Sequence, residues 1–430
     1  MKEKSPMVLS DELQYALDTL EHTDKHVFIS GRAGTGKSTL LQLFRSVSRK
    51  RIATVAPTGV AALNVRGQTI HSFFRLAPRL MEPHDIKKSK NRSLYKNLEI
   101  LIIDEISMVR ADLFDNMNYH LQINRGIYKP FGGVRVIMFG DLYQLPPVLA
   151  SRFERQYIQE RYETPYFFSS KAYAEMSDNL ETIELHTVYR QNERHFINIL
   201  DSIRSKSLDY DDLVDLNERI TPESEKQPGS ITLTTRNDIV RRINKEELDR
   251  IDQPSIHYTA KVNGKFDPRL FPTPLDLQLK LGSQVMLLRN DPQRKYVNGT
   301  IGTIEDISEQ EIKVRIYVKD DEEIITLERH VWEMIKYKYN EKEKKIEAEV
   351  IGSFEQWPLR LAWAITIHKS QGKTFERVYL DMGSGAFEYG QTYVALSRCT
   401  TLNGLQLKQA LKMSDIMVDH RITDFYNQWR

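Results

Sequence analysis

Eight consecutive residues, Gly31-Arg32-Ala33-Gly34-Thr35-Gly36-Lys37-Ser38, constrain this chain more than any others. They fit the spacing G-x-x-x-x-G-K-[ST]. Before them stands a short apolar run, His26 to Ser30, the pattern of a buried strand. After them, residues 39–47 place leucines at helical spacing. Strand, glycine loop and helix in that order form a cradle. The glycines let backbone N–H groups turn inward at the positive end of a helix, where phosphate oxygens bind. In such a loop Gly31, Gly34, Thr35 and Gly36 would wrap a nucleoside triphosphate. Lys37 would reach its β- and γ-phosphates, Ser38 would hold Mg²⁺, and Thr39 would follow as a neighbouring contact.

The chain is long enough for two or three domains, with 430 residues, 40% of them hydrophobic. Lys plus Arg number 61 against 59 Asp plus Glu, so global charge does not argue for a polyanionic partner. Any basic surface must be local. Cys399 is the only cysteine, which excludes an internal disulfide and a cysteine-built zinc site. No apolar run is long enough to span a bilayer, and the first ten residues lack the apolar core of a signal peptide. The expectation is a soluble protein of a reducing compartment.

Two further strand ends complete a phosphate-handling core. Ile100 to Ile103 run into Asp104-Glu105. An acid at the carboxyl end of a buried strand, paired with a phosphate loop, suits the Mg²⁺ shell (Asp104), and the next acid suits activation of water (Glu105). Arg135 to Asp141 form a third run, and Gln144 lies just past it, where an amide can touch the γ-phosphate. Residues 54–74 then end a strand at Ala56-Pro57, cap a helix with Thr58-Gly59, and reach His71-Ser72-Phe73-Phe74. Small polar groups there suit a sugar-phosphate backbone, and His71 with Phe73 suits base stacking. Taken singly, the phenylalanines read as readily as core. The following basic stretch, from Arg75 to Lys96, reads as readily as solvated loop.

Thr366 to Phe375 contain Gly372-Lys373-Thr374, which imitates the tail of the first loop. The glycine needed five residues earlier is absent, because that position is Ile367. A second nucleotide site is therefore not expected. His368, Lys369 and Ser370 are left to touch nucleic-acid phosphates, and Gln371 and Gly372 to face a γ-phosphate held by another domain. That domain is legible as strands at 230–237 and 377–383 with helices after them. Arg190 and Arg398 are then candidate arginine fingers across a cleft. Between these parts, residues 279–352 alternate apolar and polar, with turns at Asn298-Gly299 and Asp320-Asp321, as an inserted β-barrel would.

The segments "GRAGTGKSTLL", "APTGVAALNVRGQTIHSFF", "LIIDEISMV", "FGDLYQLPPV", "VYRQ", "TIHKSQGKTF" and "YVALSRC" occur in the order found in superfamily 1 helicases. Their forms resemble the petite-integration-frequency (Pif) family of DNA helicases, with RecD-like helicases next. The resemblance spans Leu9 to Leu407. It implies an α/β fold of two RecA-like P-loop NTPase domains, with residues 1–190 as the first and 191–278 plus 353–430 as the second. A wedge at about 64–80 and a Src-homology-3-like barrel at 279–352 would be inserted. It also implies ATP- and Mg²⁺-driven movement 5′→3′ on single-stranded DNA by a monomer, and opening of forked or partial duplexes and of G-quadruplexes. Repair, recombination and telomere maintenance are the tasks it suggests. The setting would be nucleoid, nuclear or mitochondrial according to the organism. Carried over by position, Gln144, Arg190, Gly372 and Arg398 would attend the γ-phosphate. Thr58, Gly59, Asn64, His71, Phe73, Pro146, Thr234, His368, Lys369 and Ser370 would lie along DNA. In the adenine-reading motif, Leu13 stands where a glutamine is usual, and Gln14, one place later, is the candidate. An ATPase that translocates and displaces proteins without unwinding would carry the same ATPase motifs.

Overall fold

The computed structural model describes residues 9–191, 193–291, 293, 295–318 and 321–428. Six parallel strands form the first sheet: β1 (His26–Gly31), β2 (Ile52–Ala56), β3 (Gln68–Thr69), β4 (Ile100–Ile103), β5 (Arg135–Gly140) and β6 (Leu180–Leu185). Their spatial order is β3-β2-β4-β5-β1-β6. Strands buried on both faces read as continuous apolar runs, and β1 and β4 are buried at every position. The order matters for function. It sets the carboxyl ends of β4, β5 and β1 side by side, and these carry Asp104, Asp141 and the glycine loop. Ligands of open α/β sheets bind at such ends.

A second parallel sheet runs in the order Ala364–Thr366, Ile231–Thr234, Val378–Asp381, Leu405–Leu407. It has its own core around Phe196, Ile231, Leu233, Leu380 and Val394. The two layers are consistent with two RecA-like domains.

The inserted β region is wider than 279–352. A five-stranded antiparallel sheet closes with Leu359–Leu361, and a two-stranded one begins at Ile256–Thr259. The early strands escape sequence reading because they are four residues long and, as in Lys261–Gly264, exposed throughout. Asn298-Gly299 turns as expected, with Gly299 in the left-handed region. Asp320 lies outside the described residues, as do residues 1–8; the strands Ile312–Val318 and Asp321–Leu327 pair antiparallel.

The chain end also departs from expectation. Residues 353–430 do not all join the second domain. The helix His420–Asn427 returns to the first, where Phe425 stacks on Phe168 (4.3 Å) and packs against Phe28 and Phe167. Tyr426 stacks on Tyr143 with ring centroids 5.4 Å apart. No helix among the described residues is long and apolar enough to cross a membrane.

The long strand His330–Asn340 reaches out of the β region onto the first domain. Tyr337 N–H donates to Gln68 Oε1 (3.0 Å), and its hydroxyl accepts from Thr54 N–H (3.2 Å). Its ring meets Phe73 edge-on at 5.9 Å. Phe73 is thereby 2% exposed, between Phe74, Tyr95 and Tyr337. It is a core residue here, and its expected stacking on bases is withdrawn. Phe73→Ala is expected to cost about 3–5 kcal/mol of stability. Denaturant unfolding tests this; unchanged stability with weaker single-strand binding would restore the stacking role.

Candidate functional site

The glycine loop leads into the helix Lys37–Val47 through Gly36, whose φ of 86° is left-handed. Gly34, with φ 88°, is needed for a second reason as well. A Cβ there would lie 2.5 Å from Arg190 Cβ. Thr35 is buried and donates to Arg32 O (3.0 Å), while Ser38 and Thr39 face outward at the helix start. Lys37 folds back on its own loop, with Nζ donating to Gly31 O (2.5 Å) and Arg32 O (2.7 Å). The residue is half-buried and its ammonium end is enclosed. Loss of water pushes its pKa down to about 8, against the pull of the Asp141 and Glu105 carboxylates.

Asp104 and Glu105 follow β4. Burial and the neighbouring Glu105 raise Asp104 to about 7. Burial also raises Glu105, opposed by Lys37, Arg398 and Gln371. Glu105 holds φ 51°, ψ 47°, a left-handed conformation uncommon outside glycine and typical of functional positions. The donors fit Mg²⁺. A carboxylate and a hydroxyl are hard oxygen ligands, and Mg²⁺ usually takes one or two such groups plus phosphates. No cluster of three or more His, Cys, Asp or Glu side chains able to hold a metal occurs among the described residues.

The second domain enters this site from above. Gln371 Nε2 donates to Glu105 Oε2 across the interface (3.1 Å). Arg398 is 1% exposed and donates to Val394 O (2.9 Å), Lys373 O (3.3 Å) and Ser397 Oγ (2.8 Å). Burial lowers its pKa. Arg190 donates to Ser397 O (3.2 Å), and burial with the adjacent Arg398 brings it down to about 9. Gln144 is buried and donates to Asp141 Oδ2 (3.2 Å). Gly372 is exposed with φ 76° and open space around it. Lys373 turns the other way and donates to Asn298 Oδ1 (2.9 Å) in the β region. The imitation of a phosphate loop thus resolves into an anchor between domains.

Several nucleic-acid candidates are placed differently. Thr58 caps the helix Gly59–Asn64 by accepting from Ala61 N–H (3.2 Å). Gly59 lies under Leu270, whose Cδ2 would be 2.1 Å from an added Cβ. Asn64 and Lys369 are exposed and His71 is half-buried. His368 pairs with Glu388 (3.1 Å). Pro146 is buried, a correction, because its segment is clamped between domains: Leu145 joins the second core and Gly390 closes on the Gln144 and Tyr143 carbonyls. Thr234 is also buried, since Thr366 and Asp381 flank it in the sheet. Ser370 is buried and donates to Ile367 O (2.6 Å), so its hydroxyl is spent on its own helix. Gln14 is exposed and donates to Asp18 (2.9 Å), while Leu13 faces Gly36. The amide does not face the loop, because the apolar stripe of its helix turns Leu13 inward instead.

A family model described as PIF1-like helicase matches residues 9–212, and one for the DNA helicase Pif1 2B domain matches 270–307. The ATP-dependent DNA helicase Pif1 of Bdellovibrio bacteriovorus is 33% identical over 98% of this chain and 92% of its own. The chain belongs to the Pif1-like helicase family. A crystal structure of Bacteroides sp Pif1 with ADP-AlF4 superposes with a TM-score of 0.90 at 35% identity, covering 98% of this chain and 97% of that one. Bacteroides Pif1 bound to ssDNA, over the same coverage and at 36% identity, reaches 0.69.

Sequence reasoning missed part of this Pif1-family site. Asp141, Arg204 and Tyr393 form a buried polar network behind Gln144. Arg32, in the loop itself, pairs with Asp201 of the second domain (2.6 Å). Asp141 had a readable signal, an acid directly after β5; Arg204 and Tyr393 had none. A cavity of about 860 Å³ opens at the opposite end of the first sheet, among His26, Arg51, Glu99 and Arg135 where the strands begin. Its lining includes neither the phosphate loop nor Asp104, Glu105, Gln144, Arg190 or Arg398.

Proposed function

We propose that this Pif1-family chain is an ATP-dependent DNA helicase that moves 5′→3′ on single-stranded DNA and opens forked or partial duplexes, with G-quadruplexes as a second class of substrate. The observation that carries the reading is the hydrogen bond from Gln371 to Glu105. It brings Gln371 from one layer onto Glu105 of the other, which supports a cluster built from both domains in which chemistry and domain closure are coupled. In this reading Lys37 neutralises the β- and γ-phosphates, and Ser38 and Asp104 hold Mg²⁺, which supplies charge neutralisation on the phosphate oxygens. Glu105 accepts the proton of the attacking water. Its place directly after Asp104, within reach of Gln371, suits a general base beside the metal site. Gln144, Arg190 and Arg398 stabilise the charge that develops on the transferring phosphoryl group.

Closure of the cleft would move Lys369 and His368 of the second domain relative to Thr58, Asn64 and His71 of the first. Opening one base-pair step costs about 1.4 kcal/mol. Stacking one base on a side chain returns about 1–3 kcal/mol, but only once, so repeated advance must draw on ATP. The segment 64–80 is proposed as the wedge and the inserted β region as a Src-homology-3-like module. A monomer suffices, because a single chain contributes every group of the cluster.

The test is unwinding of two partial duplexes, one with a 5′ tail and one with a 3′ tail, with and without ATP and Mg²⁺. Opening of the 5′-tailed substrate alone is expected. Opening of the 3′-tailed one alone would overturn the direction. The burial of Phe73 removes one aromatic from the fork and favours a second reading, a translocase that displaces proteins. DNA-stimulated hydrolysis without opening of either duplex would select it.

A further inference from the structure

Asp141 directly follows β5 and is 1% exposed. Four groups from three parts of the chain donate to it. Gln144 Nε2 (3.2 Å) and the Tyr393 hydroxyl (3.3 Å) share Oδ2, and Tyr143 N–H (3.3 Å) and Arg204 Nη2 (3.4 Å) share Oδ1. Arg204 also meets Glu184 Oε1 (3.2 Å) and lies 4.4 Å from the centre of the Tyr143 ring. The Tyr393 hydroxyl uses its acceptor side as well. It receives Ala33 N–H of the phosphate loop at 3.2 Å.

An unbroken chain results: Ala33 N–H to the Tyr393 hydroxyl, that hydroxyl to Asp141, and Gln144 to the same carboxylate. Tyr393 stands in the helix Gln391–Leu396, which leads directly into Arg398. A phenol is suited to this position because it donates and accepts through one oxygen. A phenylalanine would fill the same volume and do neither. Buried chains of this kind are worth more than isolated pairs and hold their members in one arrangement.

We infer that Tyr393 is a positioning residue that joins the phosphate loop, Gln144 and the Arg398 helix through Asp141, so that the state of the loop is passed to both γ-phosphate-facing groups. This rests on the ATPase reading above. The role is distinct from that of the groups proposed to meet the phosphates, since the hydroxyl is engaged by Ala33 N–H and Asp141 Oδ2. It is also distinct from packing: Tyr393 is 3% exposed, and a phenylalanine would fill the same space while losing only the two hydrogen bonds of the hydroxyl.

Tyr393→Phe tests it, with ATP hydrolysis measured at saturating single-stranded DNA. The expected result is a kcat lowered about tenfold, the order of one charged hydrogen bond, with KM for ATP changed less than about twofold. Thermal unfolding of the variant should match the parent. In a double-mutant cycle with Arg398→Ala, the two losses should be less than additive, because both act through one helix. Parental kcat in Tyr393→Phe, full additivity, or a loss that merely tracks a lowered unfolding temperature would each overturn the inference. An unmodified protein that hydrolyses no ATP would overturn the function reading itself. Should Tyr393→Phe not fold, Asp141→Asn carries the same test, because the amide keeps the shape and removes the shared charge.

Discussion

Replacing Lys37 by alanine is expected to abolish ATP hydrolysis while leaving single-strand binding largely intact. Turnover should fall by at least about 10²–10³, the loss seen when one preorganised donor to a developing charge is removed. The geometry supports a clean separation of effects. Lys37 Nζ contacts two carbonyls of its own loop, Gly31 O and Arg32 O. The exposed nucleic-acid candidates Asn64 and Lys369 stand on other elements, the helices Gly59–Asn64 and Ile367–Ser370. Enclosure already works against the ammonium, pushing it down to about 8, so its removal relieves a desolvated charge as well as losing two hydrogen bonds. The fold should therefore survive. Phosphate release and fluorescence-anisotropy binding to a labelled single strand, made on the same preparation, check both halves. A parallel loss of strand binding would mean that the two functions share more of the molecule than this partition allows.

What was legible in the sequence was what is local. The glycine loop, its strand and its helix are contiguous, and each glycine answers a constraint set within a few residues or by one close neighbour. Strands buried on both faces announced themselves as apolar runs, and most of the β region did so by alternation. What escaped was decided by partners far along the chain. Phe73 looks the same whether it faces a base or Tyr337, and only the fold brings that tyrosine to it. In the helix His420–Asn427, Ile422, Phe425 and Tyr426 show helical spacing, yet nothing in that spacing says they complete the first domain. Gln14 failed for a subtler reason. A one-residue offset turns a side chain by about 100° around a helix. The motif spacing favoured one face, and the burial of Leu13, Ala16 and Leu17 fixed the other. Arg398 and Arg190 were weak candidates as isolated arginines. Their meaning came from Gln371, just past the helix Ile367–Ser370, which donates to Glu105 and so sets the two layers face to face.

Arg398→Ala is expected to lower kcat by roughly 10³–10⁵, the range for arginine fingers, with KM for ATP within about threefold of the parent. In this structure the guanidinium is spent on its own domain, through Val394 O, Lys373 O and Ser397 Oγ. It is nevertheless placed for another partner. Arg190 lies close enough to be depressed by Arg398, and both are depressed by burial. Two cations that repel one another, Arg398 buried and Arg190 half-buried, held mainly by neutral oxygens, form a costly arrangement. An anion between them would relieve it, and a γ-phosphate gaining charge in the transition state would relieve it most. That difference between ground and transition state is why the effect should fall on kcat rather than on affinity. Steady-state kinetics at saturating single-stranded DNA decides the matter. A raised KM with kcat preserved would make Arg398 a binding residue only. Arg398→Lys sharpens the test, because it keeps the charge and loses the planar fork that meets the Val394 and Lys373 carbonyls and the Ser397 hydroxyl together. A partial rescue of kcat by lysine would assign the role to charge. No rescue would assign it to the fixed geometry that those three oxygens impose.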